Sequence, residues 1–337
     1  MADTTRTGLK RRTFFFASTG IWAACSKPPT GKAPSKLVVS VGPYHTMAPF
    51  YVAVEKGYFT QAGLDVEIKV QRSSAEMIPL LMQGVIDITL AVGTPGLYNL
   101  VAKGAPIRIA AAREHLTACQ DYGSVYERAD RFKKGDQDRA AWVGKRVGIQ
   151  TKGSIGDFTL DRFRKHIGAA DSEVTRIYMN RAESFAAILS GGIDAMLNAF
   201  GLPPDFGTDS VRMLRNPTPL SLLEGYQYSY ILFSKRLLDA DPKFGASFLQ
   251  PYLKGCHEFV AGFTPKFLTN FAQSNHIDMA KLDSVCRTTL ALDGAIKTAD
   301  LQAHIDWTVE RKYFDRKLEA TSMIDTRSLE IAQKETV

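Results

Sequence analysis

The sequence has few of the motifs that identify an enzyme. Its 337 residues include only four cysteines and no CxxC pair, so neither a zinc ribbon nor a dithiol redox centre is indicated. The nucleophile elbow GxSxG, the zinc motif HExxH, the P-loop and the dinucleotide fingerprint GxGxxG are all absent, and the six histidines are scattered. We therefore expect no catalytic residues, no bound metal and no cofactor.

Long apolar runs and concentrated charge are also lacking. After residue 24, no segment is apolar for the roughly 20 residues that span a hydrocarbon core. The net charge of +7 would suit a nucleic-acid partner, but basic clusters such as residues 131–134 have acidic neighbours. A mild excess spread in this way is typical of a solvated surface, so no nucleic-acid partner is expected.

The first 24 residues have the pattern of an export signal. Arg11 and Arg12 precede a short apolar run at residues 14–24 that closes on small residues. This is the order of a charged region, an apolar region and a cleavage region. The adjacent arginines resemble a twin-arginine signal, so we expect removal of residues 1–24 and a periplasmic or other extracytoplasmic location.

The end of this leader predicts a lipid anchor. Ala23-Ala24-Cys25 resembles a lipoprotein cleavage box, although Trp22 stands where the box usually has Leu. The alternative is an ordinary signal with Cys25 present by chance. Residues 25–35 are rich in Pro, Ser and Lys and have little to bury, so we interpret them as a flexible tether to the membrane.

Strands and helices alternate after the tether. The apolar run at residues 36–41 and the alternating run at 64–70 predict strands, with a helix between them that ends at Gly57. Segment 75–90 aligns without a gap on segment 182–197, which indicates two similar lobes. The pattern predicts an α/β protein in which each lobe is a mostly parallel sheet flanked by helices.

The chain is predicted to cross between the lobes twice. We assign residues 36–117 to the first part of lobe 1, residues 118–228 to lobe 2, and residues 229–337 to a return to lobe 1 that is mostly helical. Ligands of such sheets collect at the carboxyl ends of strands and beside helix N-termini, so the cleft between the lobes is the expected site. A monomer suffices for this architecture.

The loops at that cleft supply the candidate ligand-binding residues. Gly153-Ser154-Ile155-Gly156 opens a helix, where backbone N–H groups and a hydroxyl suit an anionic oxygen, although a plain helix cap is the alternative. The alternative to ligand binding is packing in the core for Phe50 and a position on the hinge surface for Arg113. The candidates are Tyr44, His45, Phe50, Thr94, Arg113, Ser154, Gly156, Asn198 and Phe200.

One segment carries a family resemblance. Residues 48–59, APFYVAVEKGYF, followed by AGLDVE at residues 62–67, resemble the signature of the nitrate/sulfonate/taurine and thiamine-pyrimidine group of substrate-binding proteins. The resemblance covers roughly residues 36–325. It implies a type II periplasmic-binding fold that captures a small solute, such as a sulfonate, nitrate or pyrimidine-like compound. The implied partners are the permease and ATPase subunits of an ABC importer.

The resemblance leaves two alternatives open. The same fold hosts thiamine-pyrimidine synthase and menaquinone-pathway enzymes, but the synthase-like route needs an iron-binding Cys/His cluster that the sequence does not show, and those enzymes lack export signals. A ligand sensor for a membrane kinase is the second alternative. Loops 93–96 and 198–200 depart from the usual family pattern, so the identity of the solute cannot be inferred from any subfamily.

Overall fold

The computed structural model describes most of the chain after the predicted leader and tether. All of its described residues belong to the compact unit formed by residues 34–337. The predicted lipidation site Cys25 and the candidate Phe200 lie outside the described residues. The described ranges are residues 35–117, 124–133, 138–198, 209–213, 222–274 and 287–334.

The first lobe is built on a five-stranded sheet. Its strands are β1 (Ser35–Val41), β2 (Leu64–Val70), β3 (Ile88–Val92), β4 (Arg108–His115) and β10 (Gln227–Phe233). They lie in the order β2-β1-β3-β10-β4. The helices that follow the first strands are α1 (Ala48–Glu55), α2 (Tyr58–Gln61), α3 (Ser74–Met82) and α4 (Pro95–Ala102).

The second lobe repeats this plan. Its strands are β5 (Ser124–Arg128), β6 (Lys145–Ile149), β7 (Val174–Tyr178), β8 (Ala195–Asn198) and β9 (Val211–Met213). They lie in the order β7-β6-β8-β5-β9. The helices are α5 (Arg139–Trp142), α6 (Ile155–His166) and α7 (Arg181–Ser190).

The prediction of mostly parallel sheets is confirmed in strand direction. In each sheet four strands run the same way, and one, β10 or β5, is antiparallel to both of its neighbours. Both reversed strands come directly after a crossing from the other lobe. A helical crossover is needed to connect two parallel neighbouring strands of one sheet. Because β5 and β10 each enter their sheet from the other lobe, neither needs such a crossover.

The segment after β10 is helical, as the sequence predicts. It forms α8 (Lys235–Asp239), α9 (Pro242–Val260), α10 (Lys266–Ser274), α11 (Thr298–Glu310) and α12 (Arg327–Lys334). Helix α9 packs against α1 and α12. Gly255 permits the close approach to α1, because a Cβ there would lie 2.5 Å from the Pro49 carbonyl oxygen. Cys256, the next residue, is fully buried, and this burial raises the pKa of its thiol to about 12.

Across the described ranges, no helix combines the length and apolarity needed to cross a membrane.

The two segments that join the lobes pair with each other. The Leu116 N–H donates to the Tyr226 carbonyl oxygen, and the Gly225 N–H donates to the Leu116 carbonyl oxygen, both at 2.8 Å. An apolar cluster surrounds this pairing, with Phe158 of α6 and Trp307 of α11 in contact at 5.1 Å between ring centroids. The crossing point is therefore packed by side chains from both lobes.

The aligned segments of the sequence form a structural repeat. In the first lobe the Asp87 carboxylate accepts a hydrogen bond from the Val38 N–H at 2.9 Å, and in the second the Asp194 carboxylate accepts one from the Arg146 N–H at 2.8 Å. The N–H groups of both aspartates return a bond to the carbonyl oxygens of the same partners, each at 2.8 Å. Each aspartate thus ties the start of one strand to the neighbouring central strand.

Replacing Asp194 tests this role. Burial opposes ionisation of Asp194, but the hydrogen bonds from Arg146 outweigh it and hold its pKa below the ordinary value. A carboxylate with a lowered pKa stabilises the fold above its unfolded pKa and loses that contribution as pH falls through the folded value. We expect Asp194→Ala to lower the free energy of unfolding by about 2 kcal/mol at pH 7, measured by urea denaturation.

The matched control is Asp65→Ala, which removes an exposed carboxylate from β2. It should change stability by less than about 0.5 kcal/mol. Equal effects of the two substitutions would contradict the structural role of Asp194. So would a penalty for Asp194→Ala that persists unchanged below pH 3.

Candidate functional site

A cavity of about 620 Å³ lies between the two lobes. The first lobe contributes the loop after β1, the N-terminal turns of α3 and α4, and the end of β3. The second lobe contributes the loop between β6 and α6 and the end of β8. The volume is within the range of small-molecule sites, about 300–1,000 Å³. A ligand in this cavity would touch both lobes at once.

The cavity lies where the sheet geometry concentrates helix N-termini. Helices α3, α4 and α6 begin at its wall, directly after their strands. Thr94 caps α4 by accepting from the Leu97 N–H at 3.3 Å, and Ser154 caps α6 by accepting from the Asp157 N–H at 3.4 Å. Each cap uses a lone pair of the hydroxyl oxygen and leaves its proton for donation to a ligand. The helix dipoles and these hydroxyl groups both favour an anion.

Arg113 is the buried cation of the cavity wall. Its side chain is only 3% exposed. The guanidinium lies 2.8 Å from the Glu114 carboxylate and donates to the Ser229 hydroxyl at 2.7 Å and to the Thr46 carbonyl oxygen at 3.0 Å. Burial raises the pKa of Glu114, which its contacts with Arg113 and with the Tyr228 hydroxyl only partly offset. Arg113 is therefore held rigidly, with its charge partly balanced.

Two further cations line the cavity from opposite lobes. Arg72 follows β2 in the first lobe, and its carbonyl oxygen accepts a hydrogen bond from the Tyr44 hydroxyl. Lys152 belongs to the second-lobe loop, and its Nζ lies 4.8 Å from the centre of the Tyr313 ring. Both side chains are exposed, and no Asp or Glu is among the described residues that line the cavity. The wall therefore has a positive potential suited to an anionic ligand.

The lobes also meet beside the cavity. Gly153 has a φ of +73°, and a Cβ there would lie 2.4 Å from Cγ of Pro95 at the start of α4. Farther out, Arg311 at the end of α11 forms an ion pair with Asp171 of the second lobe at 2.7 Å. Gly153 permits the loop before α6 to approach the first lobe closely. The Arg311–Asp171 ion pair is a second contact between the two lobes.

Five of the predicted site residues line the cavity. Phe50 does not, because it is fully buried in the first-lobe core, where its ring packs against Phe59 at 5.6 Å. His45 lies outside the cavity lining, with its ring 6.0 Å from Phe271. Asn198 ends β8, and its side chain is outside the description, as is the whole of Phe200. The five that converge are Tyr44, Thr94, Arg113, Ser154 and Gly156.

Several residues of the cavity wall were not among the predicted site residues. Arg72 and Lys152 follow the ends of β2 and β6 by two and three positions, so their signal in the sequence is a cation in the loop between a strand and a helix. The apolar wall residues Met77, Ile78 and Leu100 carry no comparable signal, because their spacing is that of an ordinary helix packed on a sheet.

Within the part of the chain that the structure describes, no group of three or more His, Cys, Asp or Glu side chains is placed to hold a metal ion.

Comparison with known proteins identifies relatives by sequence. The profile of NMT1/THI5-like proteins matches residues 43–261. The 4-amino-5-hydroxymethyl-2-methylpyrimidine phosphate synthase THI13 of Saccharomyces cerevisiae is 30% identical over 159 residues, which is 45% of this chain. The chain spans 42% of the length of that synthase.

Solved structures share the fold at low sequence identity. The periplasmic aliphatic sulphonate binding protein SsuA from Escherichia coli has a TM-score of 0.67 and 15% identity, over 87% of this chain and 92% of that one. The periplasmic nitrate-binding protein NrtA from Synechocystis PCC 6803 has a TM-score of 0.67 and 12% identity, over 90% and 89%. These matches confirm the predicted two-lobed, type II periplasmic-binding fold.

Proposed function

The chain belongs to the NMT1/THI5-like family, and from this premise we propose that it is an extracytoplasmic solute-binding lipoprotein of an ABC importer. The solute is a small organic anion or a nitrogen heterocycle, of the sulfonate, nitrate or pyrimidine-like kind. One observation carries the proposal: the cavity is lined by both lobes, with a cation from each and with three helix N-termini.

Binding follows from this arrangement. An anion placed at the starts of α4 and α6 would accept hydrogen bonds from Thr94 and Ser154, one in each lobe. Arg72 and Lys152 would attract it through longer-range charge interactions. Because the contacts to the two lobes form together only when the lobes are close, the ligand stabilises the closed form.

Location and partners complete the proposal. The predicted leader at residues 1–24 directs the protein out of the cytoplasm, and a lipid on Cys25 holds it at the membrane through the tether of residues 25–35. A tethered solute-binding protein stays close to the permease and ATPase subunits to which it delivers the solute. Two relatives of the same fold are named as periplasmic binding proteins, which supports this location. The protein acts as a monomer and performs no catalysis.

An enzyme is the second candidate, because the sequence match to the yeast synthases favours it. A synthase of this family would turn its ligand over, whereas a solute-binding protein releases it unchanged. Product analysis of any bound ligand therefore separates the two candidates.

A thermal-shift screen of the purified protein tests the function. The panel contains sulfonates, nitrate, pyrimidines, aromatic acids and flavins. A ligand at a hundred times its dissociation constant should raise the free energy of unfolding by about 2.7 kcal/mol. Stabilisation by an anion or a heterocycle, which is recovered intact, supports the proposal. No stabilisation across the panel, or conversion of the ligand, would contradict it.

Ser154→Ala tests the role of the second-lobe helix start. Loss of a hydrogen bond to an anion should weaken binding by about tenfold, measured by calorimetric titration with the hit from the screen. The substitution also removes the cap of α6, which costs about 1 kcal/mol of stability.

Asn180→Ala is the matched control, because Asn180 caps α7 outside the cavity by accepting from the Glu183 N–H at 2.9 Å. It should lower stability to a similar extent and leave affinity unchanged. If Ser154→Ala binds as tightly as the wild type, the site is misassigned.

A further inference from the structure

Helix α11 of the first lobe runs from the crossing point between the lobes towards the second-lobe loop at residues 150–154, which we call the cavity loop because it lines the cavity. Near the start of α11, the Asp300 carboxylate accepts a hydrogen bond from the Gln227 N–H at 2.9 Å, beside the pairing of the joining segments. The last residue of the helix, Glu310, is about 15 Å further along its axis. A rotation of the second lobe about the crossing point therefore changes the contacts at this far end most.

Two ion pairs join the far end of α11 to the second lobe. The Glu310 carboxylate lies 3.0 Å from the Lys165 Nζ of α6, and Arg311 lies 2.7 Å from the Asp171 carboxylate, which precedes β7. A negative and then a positive charge of the first lobe thus face a positive and then a negative charge of the second, which fixes how the two surfaces align. Burial opposes ionisation of Asp171, but hydrogen bonds from Arg311 and Arg176 outweigh it and hold its pKa below the ordinary value.

Tyr313 follows the end of α11 and contacts the cavity loop. Lys312 has a φ of +57°, and the Tyr313 N–H donates to the Thr308 carbonyl oxygen at 2.8 Å, so the helix ends in a Schellman motif. The centre of the Tyr313 ring lies 4.8 Å from the Lys152 Nζ, and a Cβ on Gly153 would lie 3.2 Å from the edge of the ring. Because Lys152 lines the cavity, opening of the cleft would separate this contact.

The Tyr313 hydroxyl is also linked to the backbone of the cavity loop. Its oxygen lies 3.0 Å from the hydroxyl oxygen of Tyr178, at the end of β7. The Tyr178 hydroxyl donates to the Asp157 carboxylate at 3.0 Å, which also accepts from the Gly153 N–H at 3.0 Å and from Arg176 at 2.8 Å. Burial, together with the contacts to Tyr313 and Asp157, raises the pKa of Tyr178, so its hydroxyl keeps the proton that it donates. A chain of hydrogen bonds therefore runs from the first lobe to the loop.

We propose that Glu310, Arg311 and Tyr313 form a latch that holds the second lobe closed against the first and positions the cavity loop for binding. The latch acts in addition to the contacts that a bound anion makes with both lobes. By raising the population of the closed, binding-competent form, it raises the apparent affinity for the solute. The three are positioning residues, because they are not among the residues that line the cavity and act through the loop. This inference rests on the proposed function, since it concerns closure of the same cavity.

The first test uses small-angle X-ray scattering of the intact protein and needs no ligand. Arg311→Gln removes the ion pair with Asp171 and should populate more open forms, so the radius of gyration in about 50 mM NaCl should increase. Arg311→Lys keeps the charge and should restore the wild-type radius. Raising NaCl to about 1 M should increase the radius of the wild type and have little effect on Arg311→Gln, because salt screens exposed ion pairs.

Arg327→Gln is the matched control, because Arg327 is exposed and forms an ion pair with Asp325 inside the first lobe at 2.6 Å. It should leave the radius of gyration unchanged. If Arg311→Gln does not fold, Glu310→Gln, at an exposed position, should give the same increase. An unchanged or smaller radius in the latch variant, no restoration by Arg311→Lys, or an equal increase in the control would overturn the latch and leave the proposed function standing.

The second test measures the effect of the latch on binding. Tyr313→Phe removes only the hydroxyl and should weaken binding of the compound identified by the thermal-shift screen by about threefold, mainly through faster dissociation. Tyr58→Phe is the matched control, because the Tyr58 hydroxyl bonds to Glu258 within the first lobe at 2.9 Å. Unchanged affinity in Tyr313→Phe, or an equal loss in the control, would overturn the positioning role. If the wild type binds no compound of the screen, the proposed function fails and the scattering test alone decides on the latch.

Discussion

The arrangement of the two lobes depends on the pairing between the segments that join them. Reciprocal hydrogen bonds between Leu116 and residues 225–226 hold the outgoing and returning chains side by side. The cluster around Phe158 and Trp307 packs both lobes onto this point. With the crossing fixed here, loops from the strand ends of both lobes line one cavity. The helix N-termini, the cations and the loop at Gly153 converge on it as a consequence.

The convergence gives the cavity two chemical environments. Along its wall, helix starts and the exposed cations Arg72 and Lys152 favour negative charge, while Glu114 partly balances the charge of the buried Arg113. Elsewhere in the wall, the accessible apolar side chains of Pro79 and Leu100 are suited to apolar parts of a ligand.

The sequence predicts the fold well because each signal is local. Alternation at residues 64–70 gives β2 with the same bounds, and the repeated Ile-Asp at residues 86–87 and 193–194 marks equivalent turns whose aspartates make equivalent hydrogen bonds. Ser154 follows from helix-start chemistry in the same way. The wall formed by Leu100 and its neighbours depends instead on how two helices are spaced on a sheet. The sequence also does not distinguish an aromatic residue of the core, such as Phe50, from one of a binding site. These features require the tertiary structure.

The central claim is that one anion is attracted by cations from both lobes, and a double-mutant cycle on Arg72→Gln and Lys152→Gln tests it most directly. Affinity for the best-bound anion is measured by calorimetric titration, with Lys312→Gln, an exposed lysine near α11 that does not line the cavity, as the charge control. We expect each single substitution to weaken binding by about fivefold and their effects to be non-additive, while the control binds normally. Unchanged affinity in both single variants would contradict it.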